Sequence, residues 1–87
     1  MNTIYKYTLE LIDEQAVKMP EGAVILCAQI QNGVLCLWAR VWSESPLESR
    51  IFFIIGTGGP FPASNRPPKY IGTVQAGVFV WHIFEKV

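Results

Sequence analysis

Apolar and polar residues alternate along most of this chain with a period of two, the pattern of strands that bury one face. Residues 3–11, TIYKYTLEL, read as a first strand with Tyr5, Tyr7 and Leu9 on one face and Lys6, Thr8 and Glu10 on the other. Ile12-Asp13-Glu14 reads as a turn, and QAVKMP as a short strand closed by Pro20. Glu21-Gly22 is a second turn. The strongest local signal is AVILCAQIQ-NG-VLCLWARVW, residues 23–42. Asn-Gly between two alternating apolar runs predicts a hairpin, because both residues accept the positive φ of a type I′ turn. A two-residue loop at Asn32 and Gly33 sets Gln31 opposite Val34, Gln29 opposite Cys36 and Cys27 opposite Trp38.

That register predicts a core face of Val24, Leu26, Ala28, Ile30, Leu35, Leu37, Ala39 and Val41. The opposite face carries Ile25, Cys27, Gln29, Gln31, Cys36, Trp38, Arg40 and Trp42, a mixture that suits a subunit interface or the floor of a ligand site. The two cysteines fall diagonally, which argues against a disulfide between them. SESPLES, residues 43–49, reads as a surface loop with one helical turn. RIFFII, residues 50–55, is apolar on both faces, as a central covered strand would be. GTGGPFPASNRPPK is a loop stiffened by four prolines. YIGTVQ and VFVWHIFE, joined at Ala76-Gly77, complete about seven strands. No run has the period or length of a three-turn helix. The expected fold is all-β, a small and mostly antiparallel sandwich or barrel forming a single domain over residues 1–87.

Composition sharpens this picture. Eighty-seven residues are enough for one domain, and a domain of this size buries only about 60% of its unfolded surface. Half the chain is hydrophobic (51%) and only 16% is charged, so part of the surface must be apolar, which points to a homo-oligomer. The net charge is zero but unevenly spread. Six acidic residues stand against Lys6, Lys18 and Arg40 in residues 1–48, and Glu85 alone against Arg50, Arg66, Lys69 and Lys86 in residues 49–87. Duplex nucleic acid would call for a denser basic face. No stretch reaches the roughly 18 apolar residues of a membrane span, and the first residues lack an apolar signal core. Two cysteines fit a reducing cytosol.

The abrupt break after RIFFII raises the question of a phosphate site. A P-loop needs Lys-Ser/Thr and a helix after its glycines, and here Pro60-Phe61-Pro62 follow. The Walker reading therefore fails. A nest of backbone amides at Gly56, Thr57, Gly58 and Gly59 remains a candidate anion site, set against the plainer reading of a sharp turn. Arg50, Arg66 and Lys69 are the candidate phosphate partners, and Trp38 or Trp81 a candidate base-stacking surface. His82, the sole histidine, has no nucleophile, acid or metal-ligand partner at a recognisable spacing. It reads foremost as a structural histidine. No catalytic residue, metal site or cofactor is expected.

The segments IYKYTLEL, MPEGAVILCAQIQNG, LWARV, IFFIIGTGGPFP, YIGT and HIFE, in this order and spacing, resemble a family of small proteins encoded by bacteriophages and prophages and of unknown function. The resemblance covers almost the whole chain and hands over no catalytic residues. It implies a viral origin and action in the bacterial host's cytoplasm. For so small a phage protein the leading expectation is a non-catalytic factor that counters bacterial immunity by sequestering a nucleotide-derived signal at the Gly56–Pro60 loop. The alternative is a protein–protein inhibitor of a host defence complex such as CRISPR machinery, acting through the Gln29/Gln31/Trp38/Trp42 face or an open strand edge.

Overall fold

The computed structural model describes residues 1–87 and contains seven strands and no helix. They are β1 (Asn2–Thr8), β2 (Glu14–Pro20), β3 (Val24–Gln31), β4 (Val34–Trp42), β5 (Leu47–Gly56), β6 (Lys69–Ala76) and β7 (Phe79–Glu85). Every pairing is antiparallel. A three-stranded sheet has the order β1-β4-β3 and a four-stranded sheet the order β2-β5-β7-β6. The expected all-β sandwich is what forms. It is a flat one, with extents of 40 × 35 × 16 Å.

The alternation of the sequence becomes the sandwich filling. Leu35, Leu37, Ala39 and Val41 of β4 face Met19, Phe52, Ile54, Val74 and Ile83 of the other sheet, and all are buried. No polar or charged residue is fully buried. The β3–β4 turn forms as expected, with Asn32 at φ 51° and Gly33 at φ 78°. Its register, Gln31 to Val34 and Cys27 to Trp38, also holds.

Beyond Cys27 the alternation breaks. A β-bulge between Ile25 and Cys27 inserts Leu26 as an extra residue, so Ile25 pairs with Ala39 and packs on the core. Val24 and Leu26, expected inside, are about half exposed, at 49% and 50%. A second bulge, at Ile71 in β6, shifts the register between Tyr70 and Gly72. The two bulged strands lie against each other: a Cβ on Gly72 would sit 3.7 Å from that of Ala28. Alternation along the chain signals neither bulge, because each is a matter of register against a partner strand.

Other boundaries moved modestly. The first strand ends at Thr8, and Gln15 clasps Glu10 through a pair of bonds, its amide donating to the Glu10 carbonyl at 2.7 Å and its oxygen accepting from the Glu10 N–H at 3.0 Å. Glu14 belongs to β2 rather than to a turn. In SESPLES the single turn is a β-turn, the Ser45 N–H donating to the Trp42 carbonyl at 3.0 Å, and it leads into β5, which begins at Leu47. The β6–β7 turn is Gly77-Val78.

Candidate functional site

Phe53 and Ile55 point away from the sandwich filling, yet they are 4% and 9% exposed. The loop of residues 57–68 accounts for this by folding back over the outer face of the four-stranded sheet. Phe61 sets its ring edge-on to Phe84 at 4.9 Å, and Phe84 does the same to Tyr70 at 5.4 Å. Between loop and sheet lies a cleft of about 240 Å³ lined by Phe53, Ile55, Phe61 and Pro62, with Asp13 and Glu14 at its side. No lysine or arginine lines it.

The glycine-rich stretch is a β-turn. The Gly59 N–H donates to the Gly56 carbonyl at 2.8 Å, and Gly58 has φ +87°, the conformation of the third residue of a type II turn. That bond takes the Gly59 amide away from any anion. A row of polar groups holds the turn to the sheet. Thr57 Oγ1 lies 2.8 Å from His82 Nε2, His82 Nδ1 lies 3.0 Å from Thr73 Oγ1, and Thr73 Oγ1 lies 2.7 Å from the Tyr70 hydroxyl. Both imidazole nitrogens thus have hydroxyl partners, which a neutral ring satisfies with one N–H and one lone pair. The Thr57–His82 distance is within reach of general-base chemistry. A hydroxyl rather than the carboxylate of a triad faces Nδ1. Tyr70 and Thr73, three apart, would fall on opposite faces of a regular strand; the bulge at Ile71 brings them to one face. Simple alternation could not have found this row.

The nine candidate ligand residues divide among separate places. Gly56, Thr57, Gly58, Gly59 and Trp81 stand together, since the Trp81 ring covers Gly56 so closely that a Cβ there would lie 3.2 Å from it. Trp81 packs on the core and stacks with Phe79 at 5.8 Å, and its indole N–H is buried without a partner. Arg50 is six residues from Gly56 along β5, roughly 20 Å at strand rise. It forms a two-pronged ion pair with Glu85 (Nε to Oε2 2.5 Å, Nη2 to Oε1 2.9 Å), and its Nη1 donates to the Ala23 carbonyl at 2.6 Å. The hydrogen bonds to Glu85 raise the Arg50 pKa above its usual range, against a burial that works the other way. Lys69 pairs with Glu85 across the β6–β7 ladder at this same distant end. Arg66 lies in the exposed loop, its amide donating to Ser64 Oγ at 3.2 Å. Trp38 is on the other sheet altogether.

Trp38 belongs to a second candidate surface, the outer face of the three-stranded sheet. Ile4, Val24, Leu26, Val34 and Trp42 are exposed there, between 40% and 57%. The charges on this face are already engaged. Lys6 Nζ donates to Gln31 Oε1 at 2.8 Å, and Arg40 Nε donates to Asn2 Oδ1 at 3.1 Å while its guanidinium lies 5.3 Å from the Trp42 ring centre. Cys36 is buried and Cys27 half-buried, and both are free thiols, as the diagonal placement predicts.

Comparison with curated proteins and with solved structures returned no match. A protein family does match from end to end: residues 1–87 fit the domain of unknown function DUF7352, and the chain belongs to that family.

Proposed function

We propose that this chain is a non-catalytic binding protein of phage origin whose target is a protein of the bacterial host's defence machinery, engaged through the outer face of the three-stranded sheet. One observation carries the reading: Ile4, Val24, Leu26, Val34 and Trp42 form an exposed apolar face that also holds Trp38 and an arginine stacked on an aromatic ring. Trp and Arg surrounded by aliphatic side chains are the composition of interface hot spots. The bulge strengthens the reading, because it turns two aliphatic residues that strand alternation would have buried toward solvent. The viral origin, the host cytoplasm and the defence setting follow from the resemblance described above.

The experiment is co-purification from host cells with and without two changes on this face, Leu26→Glu and Trp42→Ala, beside Gly58→Val in the distant loop. The reading requires a defence protein held by the wild type and by Gly58→Val and released by both face variants. A partner that survives the face variants would refute it.

Sequestration of a nucleotide-derived signal is the second reading. Two clefts that share Phe61 support it, one with an apolar floor of Phe53 and Ile55 for a base and the other lined by Thr57 and His82. The placement of Arg50 and Lys69 at the far end of the sheet, and of Asp13 and Glu14 at the first cleft, weighs against phosphate there. A thermal-shift panel of cyclic oligonucleotides, ADP-ribose derivatives, NAD and ATP decides it. A ligand at about 100 times its Kd stabilises by about 2.7 kcal/mol, a shift too large to miss in a domain of this size.

A further inference from the structure

Each sheet has two edges, and three of the four are protected. The β2 edge ends in Pro20 and carries Glu14 and Lys18. β3 and β6 each carry a bulge, and they lie against each other. β1 has neither bulge nor proline nor glycine, and it packs on β4 without a comparable contact to the four-stranded sheet. Its one charge does not guard the edge, because Lys6 reaches across β4 to Gln31 of β3.

The ladder shows which backbone groups this edge offers. The Leu9 N–H donates to Leu35 and the Ser43 N–H to Met1, so the odd-numbered residues of β1 bond to β4. The even-numbered residues, Asn2, Ile4, Lys6 and Thr8, turn their N–H and C=O groups outward. We infer that this edge pairs with the same edge of a second copy, antiparallel about a two-fold axis at Tyr5, to make a continuous six-stranded sheet. Asn2 then faces the partner's Thr8, and Ile4 the partner's Lys6, so all four outward residues find backbone partners at once. Shifting the register by two residues one way sets Asn2 against Glu10, whose N–H and carbonyl are already held by Gln15; shifting it the other way strands Thr8. Tyr5, 42% exposed at the edge, meets its symmetry mate at the axis, and Thr3 faces the partner's Tyr7. A second copy fits because the edge is complementary to itself: of these registers, one satisfies every outward group. The inference is independent of the proposed target.

The test is the mass of the full chain by sedimentation velocity across a dilution series, with three variants. The wild type is expected at twice 9.8 kDa. Ile4→Pro deletes an outward N–H and leaves the β4 ladder whole; Tyr5→Lys sets two ammonium groups together at the axis. Both are expected to sediment as monomers with unchanged circular dichroism. Tyr5→Cys reads the register directly. Residues at a non-hydrogen-bonded position stand about 4.5 Å apart at Cα, within the roughly 4.4–6.8 Å that a disulfide spans. Mild oxidation should link this variant into covalent dimers, and should not link Val78→Cys, whose residue is 91% exposed and far from β1 in the fold. A wild type that is monomeric at every concentration overturns the inference. A dimer that survives both Ile4→Pro and Tyr5→Lys, or a dimeric Tyr5→Cys that does not cross-link, overturns it equally.

Discussion

Removing the carboxylate of Glu85 should weaken the fold far more than removing a surface charge would. Arg50 and Glu85 make two hydrogen bonds, and their side chains are only 17% and 12% exposed. Two unit charges about 4 Å apart attract by about 4 kcal/mol at the effective dielectric near a protein surface. Taking away one partner of a buried pair costs about 3–5 kcal/mol, because the other charge is left without compensation. The remaining exposure of this pair sets the expectation at the lower end, about 3 kcal/mol for Glu85→Ala. At about 4–8 °C per kcal/mol for a domain of this length, the midpoint should fall by roughly 12–24 °C. The double variant Arg50→Met/Glu85→Leu removes both charges and keeps apolar volume, and should return to within about 1 kcal/mol of the wild type. It also deletes the bond to the Ala23 carbonyl, which keeps recovery from being complete. Urea unfolding of the wild type, Arg50→Met, Glu85→Leu and the double variant gives the coupling energy. A coupling below about 0.5 kcal/mol, the size found for exposed pairs, would refute the reasoning and free Arg50 as a candidate ligand residue.

Other consequences are as direct. Gly58→Val forces a β-branched residue to φ +87° where its Cβ meets nothing, so it should cost roughly 1–2 kcal/mol by strain alone in a denaturation series. His82→Phe removes the bonds to Thr57 and Thr73 and should cost about 1–2 kcal/mol, with faster amide exchange at residues 57–59 as its local mark. Leu26→Glu should shift stability by no more than about 0.5 kcal/mol, whereas Leu37→Ala on the facing strand should cost about 2–5 kcal/mol. Tyr7 should titrate above its ordinary value of 10.0, chiefly from burial and secondly from Tyr5. Its contribution to stability is therefore complete below that pH and is lost as pH rises through the folded value; an ultraviolet titration of wild type and Tyr7→Phe measures it.

The candidate site was less legible than the fold. GTGGP reads as a turn or a nest of amides, and Trp81, a candidate stacking surface, lies beside it. The candidate phosphate partners lie elsewhere because strand pairing, not sequence proximity, decides which end of a sheet a residue occupies. Arg50 is close to Gly56 along the chain, yet the length of β5 separates them, and Glu85 from the far end of the sequence becomes its partner. The cleft itself needed the proline loop to fold back on Phe53 and Ile55, a long-range packing event that leaves only an apolar two-faced strand as its trace.

By itself the amino-acid sequence determined the strands, the Asn32-Gly33 hairpin with its register, and the face of β4 that enters the core. These depend on a period of two and on the positive φ of one dipeptide, both properties of neighbours along the chain. Tertiary structure decided the division into sheets of three and four strands, the bulges at Leu26 and Ile71, and with them which aliphatic residues meet solvent. A bulge inserts one residue into a ladder where two distant strands approach, and it reverses the alternation beyond it. The two bulged strands meet where Ala28 approaches Gly72, forty-four residues apart in the chain and in contact only once both sheets have closed.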